Sequence, residues 1–335
     1  MTRVTVMGSG SWGTAFAMIL ADAGGDVVMW SRDPATAVEI NERHTNDKYH
    51  PGIALPRAIR ATDDAGDALD GSGLVVLAVP AQSLRDNLAA WRGQLAPGSV
   101  LVSLMKGIEI GTSLRMSQVI EDVAQVPESR VAVVSGPNLA REIALRQPAA
   151  TTVACSDRDS AQRLQDACTT DYFRPYWTTD VVGSEIGGSV KNVIALANGM
   201  AVGLGFGENS QASLITRGLA EMARLGMALG ADPLTFQGLA GVGDLIATCQ
   251  SSLSRNRTFG VNLGSGLTVD ETIALTQQTC EGVKSCQSIL DLAKRNDVEM
   301  PITEQVVQVV HHGMAPKAML AAFMSRSPKA EASLT

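Results

Sequence analysis

The 335-residue chain is too long for one compact core and predicts two domains. Hydrophobic residues at 45% and charged residues at 18% describe ordinary globular material, while a formal charge of −7 and a pI near 5.2 argue against nucleic acid or an acidic membrane surface as the main partner. Five cysteines (155, 168, 249, 280 and 286) without a CxxC pair, beside only four histidines, argue against both a disulfide framework and a metal site.

The start, MTRVTVMGSG, runs straight into a strand and reads as lacking a secretory signal; no apolar run reaches membrane-helix length. A cytoplasmic protein with reduced thiols and no membrane insertion is expected. Strands are predicted at 3–8, 26–31, 74–79, 99–105, 131–136 and 150–155, with helical spacing between several of them, as at 14–23 and 114–123. Near-continuous apolar strands alternating with helices predict an α/β fold, its parallel sheet covered on both faces. After FRPYWTTD (173–180) strand-like runs nearly vanish. Helices are predicted over 185–204, 211–229, 270–277, 285–295, 303–313 and 316–324. The organisation expected is a doubly wound α/β domain over 1–182, an all-α domain over 183–325 and a flexible tail over 326–335.

The first strand leads into Gly8-x-Gly10-x-x-Gly13, which opens an apolar helix. In that context the pattern predicts a dinucleotide-binding turn: Gly8 for the bend, Gly10 for approach of a pyrophosphate, Gly13 for helix packing, and backbone N–H groups at the helix start for the anion. The second strand ends in Ser31-Arg32 where NAD-binding chains place an acidic residue, with Asp33 one step late. Arg32 can pair with a 2′-phosphate, so NADP(H) is expected to be accepted; the alternative is a solvated Arg32 with Asp33 on the ribose.

Lys106 follows a buried strand, at the sheet edge where ligands sit, although taken alone it reads better as the start of a solvent loop. Lys191 lies in GGSVKNVIALANG, on a stripe of Gly187/Gly188, Ala195, Asn198 and Val202 with no acid to neutralise it. Small neighbours leave room for something to approach, so a cleft lysine is favoured over one snorkelling from a helix end. Asp244 and Thr248 share a face if their segment is helical. Ser254, Arg255, Asn256 and Arg257 crowd an expected loop that suits a phosphate; each segment alone could be a capped turn or a surface charge cluster.

Taken together, GSGSWGTAFA, WSRDP, NDKYHPGIALP, SLMKGIE, SGPNLARE, GGSVKNVIALANGMAVGLGFGENS, AGVGDLIATCQSSLSRNRTFG and CEGVKS resemble the bacterial-type NAD(P)-dependent glycerol-3-phosphate dehydrogenases, to about residue 325. The resemblance implies a Rossmann-type domain followed by a helical substrate domain. It implies interconversion of dihydroxyacetone phosphate and sn-glycerol 3-phosphate with NADP(H) or NAD(H), in the service of phospholipid synthesis. Lys191 is implied as the proton donor or acceptor, with Asp244, from another segment, orienting it or holding a substrate hydroxyl, and Lys106 counted with them as catalytic. Lys106, Gly136, Asn138, Asp244, Ser254, Arg255 and Asn256 are implied on the substrate, to which the residue reading adds Thr248. Ser11, Trp12, Arg32, Tyr49, Lys106, Ala140, Arg255 and Glu281 are implied on the cofactor. Three positions depart from the family pattern: Asn138-Leu139 where Ser-Phe is frequent, Met105 where a small residue or Thr is usual, and Cys280 ahead of Glu281. Two rivals share the layout: a ketopantoate or 3-hydroxyacid reductase, which needs a carboxylate grip, and a non-catalytic NADPH sensor, which has no use for Lys191 with Asp244. Nothing in the sequence fixes an oligomeric state, and a homodimer stays open.

Overall fold

The computed structural model describes residues 3–276 and 280–324, so the predicted tail lies outside the described residues. Two compact units form, one from 3–106 with 114–185 and the other from 107–113 with the described part of the remainder from 186. The segment 107–113, left inside the first domain by the sequence reading, thus groups with the helical unit.

The first unit holds an eight-stranded sheet: β1 (Arg3–Met7), β2 (Asp26–Trp30), β3 (Ile59–Thr62), β4 (Leu74–Leu77), β5 (Val100–Ser103), β6 (Val131–Ser135), β7 (Ala149–Cys155) and β8 (Phe173–Thr178). Their order is β3-β2-β1-β4-β5-β6-β7-β8. The six predicted strands form, and β3 and β8 join them as the two edges. Both edges are short of apolar runs, and Asn41 satisfies the β3 backbone by bonding both the N–H and the C=O of Ala61, each at 2.8 Å. One pairing departs from the parallel prediction: β7 runs antiparallel to β6. The only helix between them, Ala140–Ala144, spans roughly 7.5 Å, too little to carry the chain back along a strand.

Alternate residues of each strand feed two apolar clusters. On β4, Leu74 and Val76 join one, while Val75 and Leu77 join the other. The first cluster takes α1 (Ser11–Asp22) and part of α2 (Pro34–Arg43). The second takes α3 (Ala65–Leu69), α4 (Leu84–Trp91) and α5 (Met116–Ala124). The helix already described at Ala140–Ala144 is α6, and α7 (Arg158–Ala167) completes the unit's cover.

Helix α8 (Val181–Gly203) starts in the first unit and forms the buried axis of the second. Against it pack α9 (Glu208–Ala228), α10 (Asp244–Gln250), α11 (Arg255–Gly264) and α13 (Glu281–Arg295), while α12 (Val269–Thr276), α14 (Pro301–His312) and α15 (Pro316–Met324) complete the unit. The sequence reading took 252–260 as a loop. Instead the Ser254 side chain accepts the Arg257 N–H at 3.3 Å and starts α11 there, because a serine hydroxyl serves a helix start as well as a turn.

Glycines let α8 and α11 touch backbone to backbone. A Cβ on Gly199 would lie 2.1 Å from Arg257 O, and one on Gly203 2.3 Å from Val261 O. Reciprocally, a Cβ on Gly260 would lie 2.1 Å from Leu196 O, and one on Gly264 2.3 Å from Met200 O. Two Gly-x-x-x-Gly pairs thereby fix the seating of α11. Elsewhere in this unit, buried Glu221 of α9 accepts the N–H groups of Ile302 (2.6 Å) and Thr303 (3.3 Å), serving the start of α14 in place of a local cap.

Candidate active site

The candidate residues fall into two groups, one in each unit. In the first unit they sit after the carboxyl ends of β1, β2, β5 and β6, the edge where open sheets of this order bind ligands. Gly8 has φ +135°, and a Cβ there would lie 2.5 Å from Ala78 O. A Cβ on Gly13 would meet Gly8 O at 2.3 Å, so only glycine lets α1 start this close to the turn. At Gly10 nothing lies within 4 Å of an added Cβ. No side chain caps α1 at Gly10, and the shielded Trp12 Nε1 has no hydrogen-bond partner. An open, uncapped helix start of this kind fits the pyrophosphate of a dinucleotide.

Arg32 is exposed at the end of β2. Asp33 is already employed: one carboxylate oxygen accepts Ala35 N–H at 3.1 Å and the other the Thr36 hydroxyl at 3.2 Å, capping α2. Both Asp33 oxygens thus carry a hydrogen bond within the chain. Tyr49 is exposed on a turn over 46–50, and Ala140 starts α6 against the cluster that Trp12 also joins. Lys106 is half-buried, and its ammonium donates to Gly136 O at 3.0 Å, which removes the reading of it as a mere solvent-loop lysine. Gly136 has φ +151°, and its missing Cβ leaves space for Thr151. Asn138 Nδ2 donates to Thr151 Oγ1 at 2.9 Å, while its shielded Oδ1 has no protein partner. Lys106, Gly136 and Asn138 are therefore brought together.

In the second unit Lys191 is 6% exposed and Asp244 1%. Its Nζ donates to Asp244 Oδ1 and, at 2.6 Å, to Thr248 Oγ1; both partners come from α10. The carboxylate expected from another segment is thus supplied, and helix α10 does present Asp244 and Thr248 on one face. A buried ammonium is tolerable only with such a partner. Two positions of the small-residue stripe meet the protein's own backbone. Gly187 admits the Ala240 carbonyl, 2.2 Å from where its Cβ would be, and Asn198 donates to Cys249 O at 3.0 Å.

Ser254, Arg255 and Asn256 stand at the first turn of α11, with Arg255 exposed and Asn256 buried. Asn256 Nδ2 donates to Asn192 Oδ1 at 2.9 Å, which ties this turn to the residue after Lys191. Its Oδ1 accepts the Gly282 N–H at 2.9 Å and the Cys280 thiol, joining the start of α13, where Glu281 lies. Asn256 is therefore turned inward as a bracket among three helices. Sequence reading did not find Asn192 as a bridge, nor the glycine pairs that seat α11; the G-x-x-x-G spacing at 199–203 and 260–264 was the available signal. All five cysteines are free, and burial pushes the Cys249 thiol up to about 12 and that of Cys280 to about 11. Among the described residues no group of three or more His, Cys, Asp or Glu side chains could hold a metal ion, and no helix is long and apolar enough to cross a membrane.

Residues 3–161 match the NAD-dependent glycerol-3-phosphate dehydrogenase N-terminus, and residues 180–321 the C-terminus of the same family. The chain belongs to the NAD-dependent glycerol-3-phosphate dehydrogenase family. A glycerol-3-phosphate dehydrogenase (NAD(P)+) of Streptomyces griseus is 63% identical over 329 residues, 98% of each chain. One from Thermobifida fusca is 62% identical over 332 residues, 99% of each. The crystal structure of the Coxiella burnetii glycerol-3-phosphate dehydrogenase superposes with a TM-score of 0.92 at 34% identity, over 97% of this chain and 99% of that one. Within the family fold, the sheet unit of this chain carries the glycine turn and its helical unit carries the Lys191–Asp244–Thr248 cluster.

Proposed function

We propose that this chain catalyses the reversible reduction of dihydroxyacetone phosphate to sn-glycerol 3-phosphate with NADPH or NADH. The sheet unit serves as the nucleotide domain and the helical unit as the substrate domain. The observation that carries this reading is the buried Lys191 ammonium held by Asp244 and Thr248, in a family whose relatives bear that activity in their names. A bound reduced nicotinamide supplies a hydride. Lys191 donates a proton from Nζ to the carbonyl oxygen as charge builds there, and its positive charge lowers the energy of the developing alkoxide. Asp244 compensates the ammonium and, with Thr248, fixes its direction. Arg255 and the first turn of α11 hold the phosphate through guanidinium and backbone donors. Within the sheet unit, Tyr49 and Ala140 contact the cofactor.

The phosphate grip favours this reading over a carboxylate-binding reductase, and the lysine–carboxylate pair favours it over a nucleotide sensor. Supply of glycerophospholipid precursors in the cytoplasm is the physiological setting that the family resemblance supports. The test is NADPH oxidation with dihydroxyacetone phosphate, with unphosphorylated dihydroxyacetone as the control. Equal turnover of the two ketones, or of neither, removes the reading.

A further inference from the structure

We propose that Asn46 and His50 are positioning residues that hold the nucleotide-binding loop in its binding shape before any cofactor arrives; this rests on the nucleotide-site reading above. The loop from Gly8 to Gly13 contains three glycines in six residues. Such a segment loses more backbone freedom on ordering than any other composition, so its shape must be fixed from outside.

The turn over 46–50 does this with buried donors. Asn46 and His50 are both 0% exposed. Asn46 Nδ2 uses both of its hydrogens on the loop, donating to Ser9 O at 2.9 Å and to Thr14 Oγ1 at 2.9 Å; the Thr14 hydroxyl in turn donates to Ser9 O at 3.2 Å. Reversing the amide would set Oδ1 against a carbonyl oxygen, so its orientation is determined. His50 Nε2 lies 2.8 Å from Ser11 O. A carbonyl only accepts, so Nε2 carries the proton and the loop receives a second fixed donor. Burial lowers the His50 pKa, outweighing the hydrogen bond to Ser11 O that raises it, and the Arg141 charge adds to the lowering, so the neutral ring is favoured.

The turn is itself anchored. Its backbone closes through Asn46 O, which accepts the N–H groups of Tyr49 (3.1 Å) and His50 (2.8 Å). Glu39 of α2 accepts the Thr45 hydroxyl and the Asp47 N–H, each at 2.8 Å. Ile53 and Leu55, just beyond, enter the apolar cluster. Rigid core thus reaches the glycine loop through two side chains, and the ordering cost of binding is met in the free protein.

The experiment measures binding of NADPH and of ADP-ribose to the full-length chain without ketone, together with steady-state reduction of dihydroxyacetone phosphate. His50→Leu is expected to weaken both nucleotides about tenfold while kcat at saturating NADPH stays within twofold. His50→Gln, which keeps an N–H donor near the Nε2 position, is expected to stay within threefold of wild type. Should His50→Leu not fold, Asn46→Asp, which turns a carboxylate oxygen on the Ser9 carbonyl, is expected to show the same loss of affinity with kcat retained. Unchanged affinity in these variants, equal losses in the Leu and Gln variants, or a fall in kcat with affinity intact overturns the proposal. Because nucleotide binding is read without ketone, absent turnover in the wild type counts against the proposed reaction and not against this inference.

Discussion

Substituting Gly260 by alanine tests whether backbone contact between α8 and α11 sets the geometry of the phosphate-binding turn. The new Cβ would sit 2.1 Å from Leu196 O, 2.9 Å from Met200 N and 3.0 Å from Gly199 Cα, and these are backbone atoms that cannot rotate away. Restoring ordinary van der Waals contact requires α11 to retreat by roughly 1 Å. In an open helix the same change would stabilise by about 0.5–1 kcal/mol, through reduced unfolded-state freedom. Overpacking costs about 1–3 kcal/mol, so the sign reverses and the melting temperature is expected to fall. The consequence for catalysis is larger. Arg255 and Asn256 ride on the first turn of α11, and Asn256 is bonded to the neighbour of Lys191. Misplacement by about 1 Å can cost on the order of a hundredfold in rate. Gly260→Ala is therefore expected to lower kcat/KM for dihydroxyacetone phosphate by about that factor, with the Kd for NADPH unchanged. Gly207→Ala, where nothing lies within 4 Å of the added Cβ, is the control and should leave both alone. A Gly260→Ala enzyme that melts higher and keeps kcat/KM within threefold of wild type would refute the reasoning.

Lys191→Ala should bind NADPH normally and lose roughly two to four orders of magnitude in turnover, the usual reach of general acid–base catalysis; retention of more than about a tenth would remove Lys191 from the mechanism. Arg255→Ala should discriminate less between phosphorylated and unphosphorylated dihydroxyacetone, by about 0.2–1 kcal/mol because Arg255 is exposed, and equal losses with both ketones would make the residue structural. Arg32→Ala should raise the KM for NADPH and spare NADH. Because Arg32 is exposed, solvent screening limits the effect to about 0.2–1 kcal/mol, and a fixed NADPH-to-NADH ratio of kcat/KM would return the ribose to Asp33. Burial pushes Glu221 up to about 7, above the ordinary 4.5, so the folded state holds this proton more tightly than the unfolded chain. Its contribution to stability is complete below pH ~4.5 and is lost as pH rises through ~7. Glu221→Gln should flatten that slope in thermal unfolding followed at pH 5, 6.5 and 8, whereas parallel curves for variant and wild type would contradict it.

Local patterns in the sequence determined a good deal. A glycine turn between an apolar strand and an apolar helix is a short-range arrangement, so Gly8, Gly10 and Gly13 were legible one by one. The six principal strands were legible from their runs of buried residues, and Asp244 with Thr248 from helical spacing. Tertiary structure decided what depends on partners distant in the chain. Edge strands β3 and β8 lack a continuous apolar run, being interrupted by Arg60 and by Arg174, so only pairing reveals them. The direction of β7 followed from the short reach of α6 rather than from its own residues. The stripe around Lys191 looked like space for a ligand, but small residues accommodate a backbone equally well, and Ala240 occupies that space at Gly187. Ser254 could cap a helix or close a loop, and the glycine contacts between α8 and α11 selected the helix. Asn192, Asn46 and His50 gave no local sign of their bridging positions, because a buried amide or imidazole acquires its purpose from whichever carbonyl the fold brings to it.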